Sequence, residues 1–205
     1  MTRRLIVVRH GRTAWNVEGR FQGRDHPDDP PLDDVGRAQA AAAATGLAGS
    51  GATVLLASPL RRAWQTAEAV SHVLGLPVVA EPRLREQGFG HWEGLTRPEV
   101  AERFPEQYQR WLDGEEPHRD GGETRAEAGA RAAGAVDDVP EGATAVLVTH
   151  GAAGAALVAH LLGLGDATRR IGGLHNCHAS TLLETTDGWA LRTHNVSPAS
   201  GDSGH

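Results

Sequence analysis

Two histidines and two arginines in this chain stand where apolar runs end. Arg9-His10-Gly11 follows Leu5-Ile6-Val7-Val8, and Thr149-His150-Gly151 follows Ala145-Val146-Leu147-Val148. Ser58-Pro59-Leu60-Arg61-Arg62 follows Val54-Leu55-Leu56-Ala57. A guanidinium is a planar fork of donors that suits an oxyanion. An imidazole held neutral can attack as a nucleophile. A phosphate monoester carries about two negative charges near neutral pH, so two arginines and two histidines suit phosphoryl chemistry, with a histidine as the reacting group.

Elements that position these residues can be read from the pattern. Apolar strand runs alternate with helical stretches, which predicts an α/β fold, a three-layer α/β/α arrangement around a mostly parallel sheet. Strands are expected at Arg4–Val8, Thr53–Ala57, Pro77–Ala80 and Thr144–Val148. If the strands before the three turns are neighbours, their tips share one edge, where open α/β sheets build sites. Asp33 or Asp34 caps a helix running towards Leu47. Ser58 is expected to cap the next helix, with Pro59 at its first position. Thr124-Arg125-Ala126-Glu127 reads as a capping box. Ser180–Glu184 and Trp189–Thr193 form a hairpin about Asp187-Gly188. Residues 87–122 read as a small insertion forming a lid, with a helix near Pro98–Tyr108. The expected unit is one domain over residues 1–196, followed by a polar disordered tail, 197–205.

Composition narrows the partners. The 205 residues are 40% hydrophobic with a formal net charge of -6, which argues against nucleic acid or an anionic membrane. All basic residues are arginine, a bias that makes position, not residue type, informative. Cys177 is the sole cysteine, so an intrachain disulfide is excluded and a cytoplasmic protein is expected. The apolar run after Met1-Thr2-Arg3-Arg4 ends at Arg9, too soon for a signal sequence.

The motifs together resemble a family. Arg9-His10-Gly11-Arg12-Thr13-x-x-Asn16, Phe21-Gln22-Gly23, Pro31-Leu32-x-x-x-Gly36, Ser58-Pro59-Leu60-x-Arg62-Ala63-x-x-Thr66-Ala67, Leu84-x-Glu86-x-x-Phe89-Gly90-x-Trp92-Glu93-Gly94, Gly121-Gly122-Glu123-Thr124 and Val148-Thr149-His150-Gly151 occur in the order found in the histidine phosphatase superfamily, which includes the phosphoglycerate mutases. The resemblance implies a phosphoglycerate mutase-like fold and a phosphohistidine intermediate on His10. It further implies that Arg9, Arg62 and His150 bind the phosphoryl oxygens and that Glu86 serves as general acid and base. Thr13, Asn16, Gln22, Gly23 and Gly151 would contribute to the phosphate and substrate site. No metal or cofactor is implied, and analogy suggests a homodimer. Of adjacent Arg61 and Arg62, the one before alanine matches the pattern, leaving Arg61 on the surface.

Other readings compete. His175-Asn176-Cys177-His178 could hold zinc, but no second ligand cluster completes a site. Asn176 or His178 could instead touch substrate. Mutases of the family carry a longer insertion with an adjacent arginine pair; between Glu86 and His150 there is none, which favours a phosphatase, although Arg97 matches a basic mutase position. Within the superfamily the chain most resembles the small actinobacterial phosphatases acting on glucosyl-3-phosphoglycerate and related phosphorylated metabolites. Inactive phospho-ligand or protein-binding members form a third alternative, disfavoured by the intact set of His10, Arg9, Arg62, His150 and Glu86. Arg97, His118 and Arg119 are candidates for a carboxylate or sugar contact, against the simpler reading that lid residues face solvent.

Overall fold

The computed structural model describes residues 2–165 and 171–200. Its sheet has six strands: β1 (Arg4–Arg9), β2 (Val54–Ala57), β3 (Val79–Ala80), β4 (Thr144–Thr149), β5 (Ala179–Thr185) and β6 (Gly188–Val196). Their order is β3-β2-β4-β1-β5-β6. The first four are parallel, and β5 and β6 add an antiparallel edge. The tips of β2, β4 and β1 therefore lie side by side, as the sequence pattern requires.

Both faces of the sheet are covered, which explains the unbroken apolar run in β1. Leu5 and Val7 pack into one core with Ala132 and Val136 of α6 (Arg125–Asp137) and Leu157 of α7 (Gly151–Leu161). Ile6 and Val8 face the other core with Ala44 of α2 (Asp34–Gly46) and Ala63, Ala67 and Val70 of α3 (Arg61–Leu74). Alternate residues of a strand point to opposite faces, so these two sets give three layers. Asp33 caps α2, accepting from Gly36 N at 2.7 Å. Thr124 and Glu127 form the expected capping box of α6. Among the described residues no helix is long and apolar enough to cross a membrane.

Several local readings need correction. Ser58 does not cap α3: its N–H bonds Val148 O at 2.9 Å, which holds it at the end of β2, and Leu60 takes the cap position without a side-chain bond. The third strand shrinks to Val79–Ala80. The lid helix is two, α4 (Arg97–Arg103) and α5 (Pro105–Leu112), broken where Pro105 drives Phe104 to φ -135° and ψ 55°. Ala14–Glu18 forms a short unforeseen helix, α1, capped by Thr13. Pro198–Ser200 is a helical turn packed on α2, not a free tail, and residues 201–205 lie outside the described residues.

The turn after β1 meets the start of α2 backbone to backbone. A Cβ on Gly11 would lie 2.4 Å from Gly36 O, and one on Gly36 would lie 2.0 Å from Arg12 O. Only two glycines allow that approach.

Candidate active site

His10 follows β1 directly and is 1% exposed. Its N–H bonds Thr149 O at 2.9 Å, which ties the tip of β1 to that of β4. Its Nδ1 lies 2.7 Å from Gly11 O. A carbonyl only accepts, so Nδ1 carries the proton and Nε2 keeps its lone pair. Burial first, then the positive charges of Arg62 and Arg9, push the imidazole well below its ordinary value of 6.5. A neutral ring with a free Nε2 is the nucleophilic form.

Around it stand three partly satisfied donors. Arg9 Nη1 donates to Leu174 O at 2.7 Å. Arg62 Nη1 pairs with Asp29 Oδ1 at 3.0 Å, and its Nη2 donates to Gly23 O at 2.8 Å. His150 Nε2 lies 2.8 Å from Ser58 Oγ, and its ring centroid is 5.1 Å from that of His10. Burial, together with Arg62, holds His150 well below its ordinary value too. Arg9 Nε, Arg62 Nε and His150 Nδ1 are buried without a hydrogen-bond partner among the described residues. Buried polar atoms are nearly always satisfied, so unsatisfied nitrogens converging from three strand tips mark an anion site. Gly151 opens α7 beside them; a Cβ there would lie 3.4 Å from Arg9 Cζ.

Glu86 reaches the same edge and is 7% exposed. Its Oε1 accepts from Gln87 N at 2.9 Å and Ala153 N at 2.8 Å, and Oε2 accepts from Ala152 N at 3.4 Å. The carboxylate thus satisfies the first turn of α7, where the helix dipole favours negative charge. It also raises the affinity of Arg9 and Arg62 for their protons, against the burial that lowers it.

Other residues singled out by the motifs divide. Thr13 is buried and its hydroxyl reaches Gln22 Oε1 at 3.0 Å; Asn16 lies one turn on, in α1. Arg61 is exposed, as expected. Arg97 and His118 are exposed, and Arg97 lies over the Trp111 ring at 5.9 Å. Arg119 departs from the solvent-facing reading: it is 4% exposed, over the rings of Trp92 at 5.3 Å and Phe89 at 5.8 Å. It belongs to the aromatic cluster of Phe21, Phe89, Trp92, Tyr108 and Trp111 that holds residues 87–122 together. Glu93 is no solvated carboxylate either; it accepts from the amides of Arg24, Asp25 and Phe89. Among the described residues no three His, Cys, Asp or Glu side chains are grouped to hold a metal. Cys177 is buried, and burial pushes its thiol up to about 12.

Three contributors escaped the sequence reading: Asp29 orients Arg62, Ser58 contacts His150, and Thr66 Oγ1 accepts from Gly11 N at 3.0 Å. Asn176, a candidate for substrate contact, has a partner the sequence did not indicate: its Nδ2 donates to His10 O at 3.0 Å. Thr66 lies in a quoted motif, but nothing in that motif indicates its partner.

Comparison with known proteins places the geometry in context. The chain is 36% identical to a probable phosphoglycerate mutase of Yersinia enterocolitica, covering 98% of this chain and 94% of that protein. It is 38% identical to glucosyl-3-phosphoglycerate phosphatase of Mycolicibacterium vanbaalenii, covering 85% and 81%. The solved structure of a mycobacterial glucosyl-3-phosphoglycerate phosphatase in complex with VO3 superposes with a TM-score of 0.85 at 35% identity, covering 95% of this chain and all of that one. The family model of the histidine phosphatase superfamily (branch 1) matches residues 5–197, and with the strand-tip histidines and arginines in place the chain belongs to that superfamily.

Proposed function

We propose that this chain is a metal-independent phosphomonoesterase that hydrolyses a small phosphorylated metabolite through a phosphohistidine on His10. The observation that carries this reading is the buried, neutral His10 ringed by Arg9 Nε, Arg62 Nε and His150 Nδ1, all without partners among the described residues. The superfamily and its phosphatase relatives support a phosphoric monoester hydrolase.

In the first step His10 Nε2 attacks phosphorus, an N–P bond forms, and the ester P–O bond breaks. Arg9, Arg62 and His150 meet the charge that gathers on the equatorial oxygens. Glu86 gives its proton to the departing alkoxide. Oε1 accepts two backbone N–H groups and Oε2 only the longer one from Ala152, so Oε2 is the oxygen through which the proton would pass. In the second step the Glu86 carboxylate takes a proton from water, the oxygen attacks phosphorus, and the N–P electrons return to Nε2. The arginines supply the positive charge that a metal ion supplies elsewhere.

The substrate we favour is a phosphorylated sugar acid or glycerate, on the likeness to the glucosyl-3-phosphoglycerate phosphatases. A mutase reading rests on the Yersinia relative. Against it stands the short segment between Glu86 and His150, which lacks an adjacent arginine pair. Phosphate release from a metabolite panel with EDTA present, and its loss in His10→Ala, tests the proposal. Absence of release from every substrate overturns it. Conversion of 3- to 2-phosphoglycerate stimulated by 2,3-bisphosphoglycerate moves the function to mutase.

A further inference from the structure

The turn His175-Asn176-Cys177-His178 lies against the back of the site, and its bonds run to the nucleophile's segment. His178 O accepts from Arg9 N at 3.1 Å, and Cys177 N donates to Arg9 O at 3.0 Å. Arg9 Nη1 reaches Leu174 O, one residue before the turn. Cys177 holds the left-handed φ of 57° that lets the chain double back.

Asn176 makes the most informative of these contacts. Its Nδ2 donates to His10 O at 3.0 Å and to Asn16 Oδ1 at 3.2 Å. A main-chain carbonyl can only accept, so the Asn176 amide is fixed with nitrogen towards His10. Asn16 Oδ1 also accepts from Thr13 N at 3.0 Å, another group with one possible role. The Thr13 hydroxyl lies 3.2 Å from the same oxygen, so three donors hold the Asn16 oxygen on the protein side. Its Nδ2, without a partner among the described residues, is left as the free donor.

We infer that Asn176 is a positioning residue that sets the orientation of the Asn16 amide, so that Asn16 presents N–H and not C=O to the phosphoryl group. This rests on the phosphatase reading above. A carbonyl turned towards a dianion would repel it, which makes the orientation worth fixing. Neither zinc ligation nor direct contact with substrate is needed to account for the motif.

The test is a double-mutant cycle with p-nitrophenyl phosphate as probe, together with the Asn16 side-chain amide resonances of 15N-labelled protein. Asn176→Ala is expected to lower kcat/KM about tenfold. Added to Asn16→Ala, it should lower it by less than threefold more. Inorganic phosphate should shift the Asn16 NH2 resonances in the wild type and far less in Asn176→Ala. Asn176→Asp, of the same shape but without the donor, should behave as the alanine does. Thermal unfolding identifies a variant that has lost its fold, and the aspartate then serves in its place. Independent, multiplicative losses, or an unchanged phosphate response in both variants, overturn the inference. A wild type that turns over no substrate overturns the phosphatase reading instead, while the Asn16 resonances still report whether Asn176 orients that amide.

Discussion

The edge formed by the tips of β1, β2 and β4 and the segment over residues 87–122 are built on opposite principles. At the edge, backbone pairing does much of the positioning. His10 N bonds Thr149 O and Ser58 N bonds Val148 O, so the turns that carry His10 and Arg62 start from points fixed by the sheet. In residues 87–122, side chains do the positioning. Arg119 lies over Trp92 and Phe89, and Glu93 gathers the amides of Arg24, Asp25 and Phe89. The difference separates tasks. On the proposed function, the rigid edge would serve one invariant chemical group, the phosphoryl, whereas a frame of packed rings and carboxylates can be recut without disturbing that edge.

That division can be broken by mutation, because changes to the edge residues that meet the phosphoryl group should penalise every substrate alike, a change to Glu86 should follow the leaving group's need for a proton, and changes in residues 87–122 should follow the rest of the substrate. His10→Ala removes the proposed nucleophile and should cut kcat/KM by about 10⁴-fold or more on any phosphate ester. Glu86→Gln should cost about 10²- to 10⁴-fold with a poor alkoxide leaving group and much less with p-nitrophenolate, which leaves without a proton. Arg62→Lys keeps the charge but loses the fork held by Asp29 and Gly23, and should cost about 10²-fold uniformly across a substrate panel.

A pH titration of stability sharpens the same contrast. His10 and His150 are buried and neutral, with pKa values below the 6.5 of an exposed histidine. The unfolded chain therefore binds more protons below that pH. Stability is full above about pH 6.5 and falls as pH drops below it, by about 1.4 kcal/mol per pH unit for each ring. Thermal unfolding between pH 7 and 5 should show this loss. His10→Gln should remove its share, and inorganic phosphate should offset it. The smallest effect belongs to the lid: Trp111→Ala should change the ratio of kcat/KM between two substrates by about tenfold or less. A uniform loss from this change would erase the distinction between the two regions.

The same contrast explains what could be read from the chain alone. His10, Arg9, Arg62 and His150 were legible because each lies within a few residues of a strand end, and strand ends announce themselves by apolar runs. Their supports were not. Asp29 is 33 positions from Arg62, Thr66 is 55 from Gly11, Ser58 is 92 from His150 and Asn176 is 166 from His10. No local pattern encodes contacts that only the fold creates. Ser58 shows the failure most plainly. Serine before proline suggests a cap, yet a sheet bond to Val148 holds it two residues short of the cap position and its hydroxyl contacts His150. The place of Arg119 stayed open for a related reason: a guanidinium over aromatic rings looks, in sequence, like any surface arginine.

The contact between Gly11 and Gly36 has a consequence for how this scaffold can change. In a library randomised over the whole chain, both positions should return as glycine in active clones. A methyl at either site would push the turn after His10 off its seat and move the nucleophile with it. Residues 87–122 carry a lock of the same kind, since a Cβ on Gly90 would lie 2.2 Å from Asp120 O. Drift there is open to the side chains around Trp111 and not to Gly90, while Gly11 and Gly36 keep His10 in place.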